Sequence, residues 1–172
     1  VAMSGAIYQI IAHALTSGAM FLMVGIISAQ LGTRKISQLG GIARKAPVFA
    51  TLFAIMMLSS VGLPTTIGFV AELLILVGLF KTNLVYGIIA TTSIVVGAVY
   101  MFVVFRKAIL QSVGVVSDKF KEIRAAQMIA FGLVAVIIFV MGLYPKPFLN
   151  LVDNTVQSHY EKYIKSNLKG QE

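Results

Sequence analysis

One carboxylate stands alone inside a long apolar run. In "LSSVGLPTTIGFVAELLILVGLF", residues 58–80, Glu72 follows Gly62, Pro64, Thr65 and Thr66 and is flanked by aliphatic side chains. A carboxylic acid can hold and release a proton, and placing it in a bilayer costs a few kcal/mol, so it must face protein or water. A hydrogen bond between helices, donated by a permanently protonated acid, is the plainer use of the same residue. His13 is the second group that can exchange a proton near neutral pH. Gln9, His13 and Thr16 fall on one helix face by their spacing and form a polar stripe with two possible uses, proton passage or hydrogen-bonded packing.

These groups need elements to hold them, and composition says which kind. Hydrophobic residues make up 58% and charged residues 12% of the 172, and mean hydropathy is +0.92. A water-soluble domain of this size could not cover so much apolar surface, so the chain reads as an all-α membrane protein. Strands are disfavoured because the apolar runs lack alternation. Cysteine is absent, which removes disulfides, thiolate metal sites and iron–sulfur ligation by this chain. No phosphate loop, nucleophile elbow or metal-ligand cluster is written in it, so neither a cofactor nor a metal is expected here. The net charge of +8 sits in loops beside apolar spans, as membrane orientation requires, and not in a nucleic-acid-binding pattern.

Four spans follow, about Ala2 to Leu31, Val48 to Phe80, Leu84 to Phe105 and Ala125 to Leu143. They make residues 1–143 a transmembrane region and 144–172 an extramembrane tail, whose "LVDNTVQSHYEKYIKSNLK" can form a short interfacial helix and whose His159 reads as solvated. Arg34, Lys35, Arg44 and Lys45 in one loop, and Arg106, Lys107, Lys119, Lys121 and Arg124 in another, place both loops on the cytoplasmic side. The second span would reach roughly 50 Å as one straight helix, well beyond the bilayer core. It is expected to break near Gly62–Pro64, because Pro64 removes a backbone donor and Gly62 eases departure from helical geometry. Thr65 and Thr66, or water, are the candidate partners for carbonyls freed there. Gly18, Gly25 and Gly32 recur every seven residues, a ridge suited to close helix packing. Val1 opens the chain without a signal-peptide pattern, so the chain reads as part of a longer protein.

Taken in order, "QIIAHALTSGAMFLMVG", "LGGIARKAP" and "GLPTTIGFVAELLILVGLF" resemble the last part of the antiporter-like membrane subunits of proton-pumping NADH:quinone oxidoreductase, respiratory complex I. Glu72 matches the M branch of that family, the counterpart of mitochondrial subunit 4; the sister branches carry lysine there. The resemblance implies that Glu72 is the ionisable residue of the broken span, near the outlet to the outer side, and that His13 belongs to a hydrated axis feeding it. It implies other complex I membrane subunits as partners, the sister antiporter-like chains above all. It also implies a bacterial plasma membrane rather than a mitochondrial one, and catalysis by the assembled oxidoreductase with no redox chemistry in this chain alone. Thr65 and Ala71 stand where the family has glycine, and the family's inlet half precedes the region seen here. Two other readings stay open at this point: a cation/proton antiporter subunit, and a structural or assembly piece without conduction of its own.

Overall fold

The computed structural model describes residues 1–111 and 117–169, the last eleven by their backbone only. His159 is among those eleven, so its surroundings lie outside the described residues. The described residues form helices and turns with no strand. Seven α-helices follow in order: α1 (Ala2–Leu31), α2 (Ile42–Lys45), α3 (Pro47–Ser60), α4 (Ile67–Thr82), α5 (Leu84–Phe105), α6 (Ala125–Leu143) and α7 (Lys146–Lys169). A π-helical turn, Arg106–Leu110, extends α5.

Helix α1 buries one stripe, Tyr8, Ala12, Thr16, Ala19, Met23 and Ile27, whose spacing of three and four residues is the period of one helix face. It runs antiparallel to α4, and the two backbones come close because glycines face the contacts. A Cβ at Gly5 would meet Leu74 and Ile75, and one at Gly78 would overlap Ala2. Phe131, Ala135, Ile138 and Met141 form the inner stripe of α6, and the buried Tyr8 hydroxyl donates to the Met141 carbonyl at 2.8 Å. Helix α5 packs on α4 through Gly87 against the Phe80 ring and leaves an apolar surface that includes Ile88, Val95, Val99 and Phe102 exposed.

The end of the bundle opposite the α1 N-terminus is tied by the segment before α6. Lys45 and Asp118 form an ion pair. Glu122 accepts from the Val48 and Phe49 amides at 2.9 and 3.0 Å, an anion on the first turn of α3 supplied from 70 or more residues away. The Gln30 amide closes a two-way clamp on the backbone of Lys121, at 3.1 and 2.9 Å. Phe120 is buried against Phe49, ring centroids 5.1 Å apart.

The all-helical expectation holds, with three of the four expected spans met by single helices, and two other expectations change. Among the described residues, three helices are long and apolar enough to cross a membrane, Ala2–Leu31, Leu84–Leu110 and Ala125–Leu143; α3 and α4, at 14 and 16 residues, are each too short alone. The tail helix is not short: α7 runs 24 residues from Lys146, because Pro147 lies in its first turn, where the missing amide hydrogen costs nothing. The ridge of Gly18, Gly25 and Gly32 packs against no other helix of this chain, since a Cβ at any of them would meet nothing within 4 Å among the described residues. Heptad spacing placed them on the outer side of α1, and Gly5, Gly68, Gly78, Gly87 and Gly142 hold the close contacts instead.

Candidate functional site

The segment between α3 and α4 is built by two standard turns in succession. The Gly62 amide donates to the Ser59 carbonyl at 3.3 Å and the Leu63 amide to the Leu58 carbonyl at 2.9 Å, with Gly62 at φ 71°. This is the Schellman ending of a helix, which needs a left-handed residue where Gly62 stands. The Thr66 amide then donates to the Leu63 carbonyl at 3.1 Å, with Pro64 second and Thr65 third, at φ 84°. That pattern is a type II turn, whose third position favours glycine. Thr65 holds it as a β-branched residue, under strain. The Thr66 hydroxyl adds a 2.7 Å bond to Leu63 O, and Thr66 then leads into α4. Most carbonyls freed at the end of α3 are thus met by backbone amides, where threonine side chains or water were expected.

The segment is packed on two sides. A Cβ at Gly142 of α6 would overlap the Thr65 backbone, and a Cβ at Gly68 would overlap the Ser59 carbonyl. Only glycine lets these backbones touch.

Glu72 lies half-buried on α4, and its side chain folds back toward the interruption. A Cβ at Gly62 would stand 3.0 Å from the carboxyl carbon and closer still to Oε2, so the carboxyl group occupies the face that Gly62 leaves bare. This pairing was not legible in the spacing, because it depends on how the two turns redirect the chain.

The stripe on α1 divides. Thr16 is buried, and its hydroxyl donates to Ala12 O at 2.8 Å. Gln9 is half-buried, with its Oε1 enclosed and without a partner among the described residues. The contacts of Ala2 with Gly78 and of Gly5 with Leu74 and Ile75 set a register that puts Gln9 across from the first turns of α4. His13 lies on the exposed side of α1 and pairs with Ser17, Nδ1 to Oγ 3.0 Å. The structure therefore gathers Gly62, Pro64, Thr65, Thr66 and Glu72 at one place, sets Gln9 across from it, and leaves His13 at the rim. Ser59, buried at the same place, was missed; its one signal was position, a small polar residue three before Gly62.

These features define a helical membrane protein in which a carboxylic acid rests beside a helix interruption held by close backbone contacts. The chain belongs to the NADH:quinone oxidoreductase/Mrp antiporter family of transmembrane proteins, whose pattern its residues 1–97 match. It is 38% identical over 161 residues to NADH-quinone oxidoreductase subunit M of Rickettsia typhi, a match covering 93% of this chain and 33% of that protein. The chain thus spans about a third of the length of the curated relatives it matches. A chain of respiratory complex I from Thermus thermophilus with bound NADH superposes with a TM-score of 0.78 at 29% identity, over 87% of this chain and 32% of that one. A chain of the Mrp complex from a Dietzia species superposes with a TM-score of 0.77 over 87% of this chain and 36% of its own; at 18% identity it shows the fold alone.

Proposed function

We propose that this chain carries the outward half of a proton path in a membrane subunit of NADH:quinone oxidoreductase, with Glu72 as the group that loads and releases the proton. The observation that carries this reading is the Glu72 carboxyl folded onto Gly62, where α3 has ended and α4 has begun. Non-helical backbone at membrane depth is tolerated only inside protein or beside a wet cavity, so a titratable group at that point has a route for its proton. Helices α3 and α4 together make one crossing with a bend, the fourth beside α1, α5 and α6. The tethered end with Lys45, Lys121 and Arg124 faces the cytoplasm, and α7 lies at the outer surface of a bacterial plasma membrane.

The chemistry is electrostatic. Charges inside a weakly screening medium interact strongly, so a proton arriving at one site changes the affinity of the next. Electron transfer belongs to other chains of the assembly, and the sister antiporter-like subunits are the partners against which the apolar faces pack. The test is Glu72→Gln in the complex that carries this chain. It is expected to lower proton translocation per NADH oxidised while the complex assembles; full translocation would reject the assignment.

The family pattern also covers Mrp antiporters, so a cation/proton antiporter subunit is the second reading. It calls for the same path without redox drive. Proton movement driven by a sodium or potassium gradient, and indifferent to NADH and quinone, separates the two.

A further inference from the structure

Six helical hydroxyls show the bond that Ser59 lacks. Thr16, Thr51, Thr82, Thr91, Thr92 and Ser93 each donate to the carbonyl four residues earlier, at 2.8 to 3.1 Å. Ser59 does not return to its own helix. The residue is 1% exposed, its Oγ finds no hydrogen-bond partner among the described residues, and it lies 3.7 Å from the position a Cβ would take at Gly68. Gly68 belongs to the first turn of α4, whose leading amides have no partner within their own helix. A second enclosed polar atom, Gln9 Oε1, is also unpartnered, and the α1–α4 register sets it across from those same turns. Two buried oxygens beside a helix start are the kind of site that structured water fills, because orphaned polar groups inside a protein are costly and rare.

We propose that Ser59 and Gln9 hold ordered water at the start of α4, and that this water is the last step by which a proton reaches Glu72. The inference rests on the proton-path reading above and deepens it by naming the inner mouth of the site. Ser59 Oγ both donates and accepts, so it can keep a water oriented while a proton passes. The Gln9 side chain anchors the α1 side. The close contact of Gly68 with the Ser59 carbonyl holds residue 59 against α4, and the Schellman turn from Leu58 to Leu63 sets Gly62 against the Glu72 carboxyl.

The experiment uses the intact complex that carries this chain, reconstituted in vesicles, with Ser59→Ala, Gln9→Met, the double variant of those two, and Glu72→Gln compared with the parent. Proton uptake per NADH is measured alongside the amount of assembled complex, and the parent and Ser59→Ala complexes are imaged at a resolution that shows water. The expected result is water density within hydrogen-bond distance of Ser59 Oγ in the parent, lost in Ser59→Ala. Uptake should fall roughly threefold or more in both Ser59→Ala and Gln9→Met, and little further in the double variant, since the two serve one water chain. Absence of water at Ser59 in the parent overturns the inference, whatever the variants do. Parent-level uptake in both Ser59→Ala and Gln9→Met overturns it too. If Glu72→Gln is impaired while those two are not, this inference alone fails; if Glu72→Gln also pumps fully, the proton-path reading fails first.

Discussion

Gly62→Ala probes the site without touching the titratable group. Gly62 sits at φ 71°, and a methyl there would stand 3.0 Å from the Glu72 carboxyl carbon and nearer to Oε2. Ordinary contact begins near 3.4 Å, so the carboxyl must retreat by on the order of 1 Å. The obstacle is the end of a flexible side chain, so the packing cost is small; the left-handed backbone adds about 1–2 kcal/mol of strain. Displacements of this size at a reacting group lower rates by up to about a hundredfold. Proton translocation in vesicles should therefore drop at least severalfold, while the complex still assembles with a slightly lower melting temperature. The decisive assay pairs translocation with a structure of the variant. A carboxyl unmoved, or a carboxyl moved with translocation at the parent level, would refute the link between Gly62 and Glu72.

Thr65→Gly should raise the stability of the detergent-solubilised protein by about 1 kcal/mol, the relief of a left-handed β-branched residue less the entropy glycine adds to the unfolded chain; a lowered melting temperature would contradict the type II turn. Glu122→Ala should lower stability by about 1 kcal/mol through loss of the tertiary cap on α3, and Glu122→Gln should lose less because its amide oxygen can still accept. Equal melting temperatures for both and the parent would show the cap to be idle. Lys45, by its hydrogen bond first and its charge second, holds the Asp118 carboxyl below the usual aspartate value. Because the folded value is the lower one, the pair stabilises the tether above the ordinary aspartate range and loses that contribution as pH falls through the depressed value. Amide protection in residues 118–124, taken relative to the intrinsic exchange rate at each pH, should stay flat from neutral pH down to the usual aspartate range and fall below it, and Asp118→Asn should abolish the step.

Much of the fold lay open in one dimension. The apolar runs set where α1, α5 and α6 form, since a backbone in lipid must satisfy its own hydrogen bonds, and their limits in the sequence agree with the helices. Pro64 and Gly62 marked where regular helix ends, because proline lacks a donor and glycine accepts a left-handed φ. Glu72 stood out because an acid in an apolar run is expensive. Chemistry that belongs to a residue type, or to its near neighbours, can be read without a fold.

Contacts between distant residues could not. The fold of Glu72 onto Gly62, the seating of Gly142 on Thr65, the cap that Glu122 places on α3 and the enclosure of Ser59 all require knowing which helix faces which. Heptad spacing pointed to glycines other than those at the close contacts within this chain, because spacing fixes which residues share a face but not which helix that face meets. The sequence alone thus determined a helical membrane chain with one costly acid beside a proline. The tertiary structure decided what that acid touches, because the direction of α4 is set by two turns and by close backbone contacts from α1, α3 and α6 that no local pattern records.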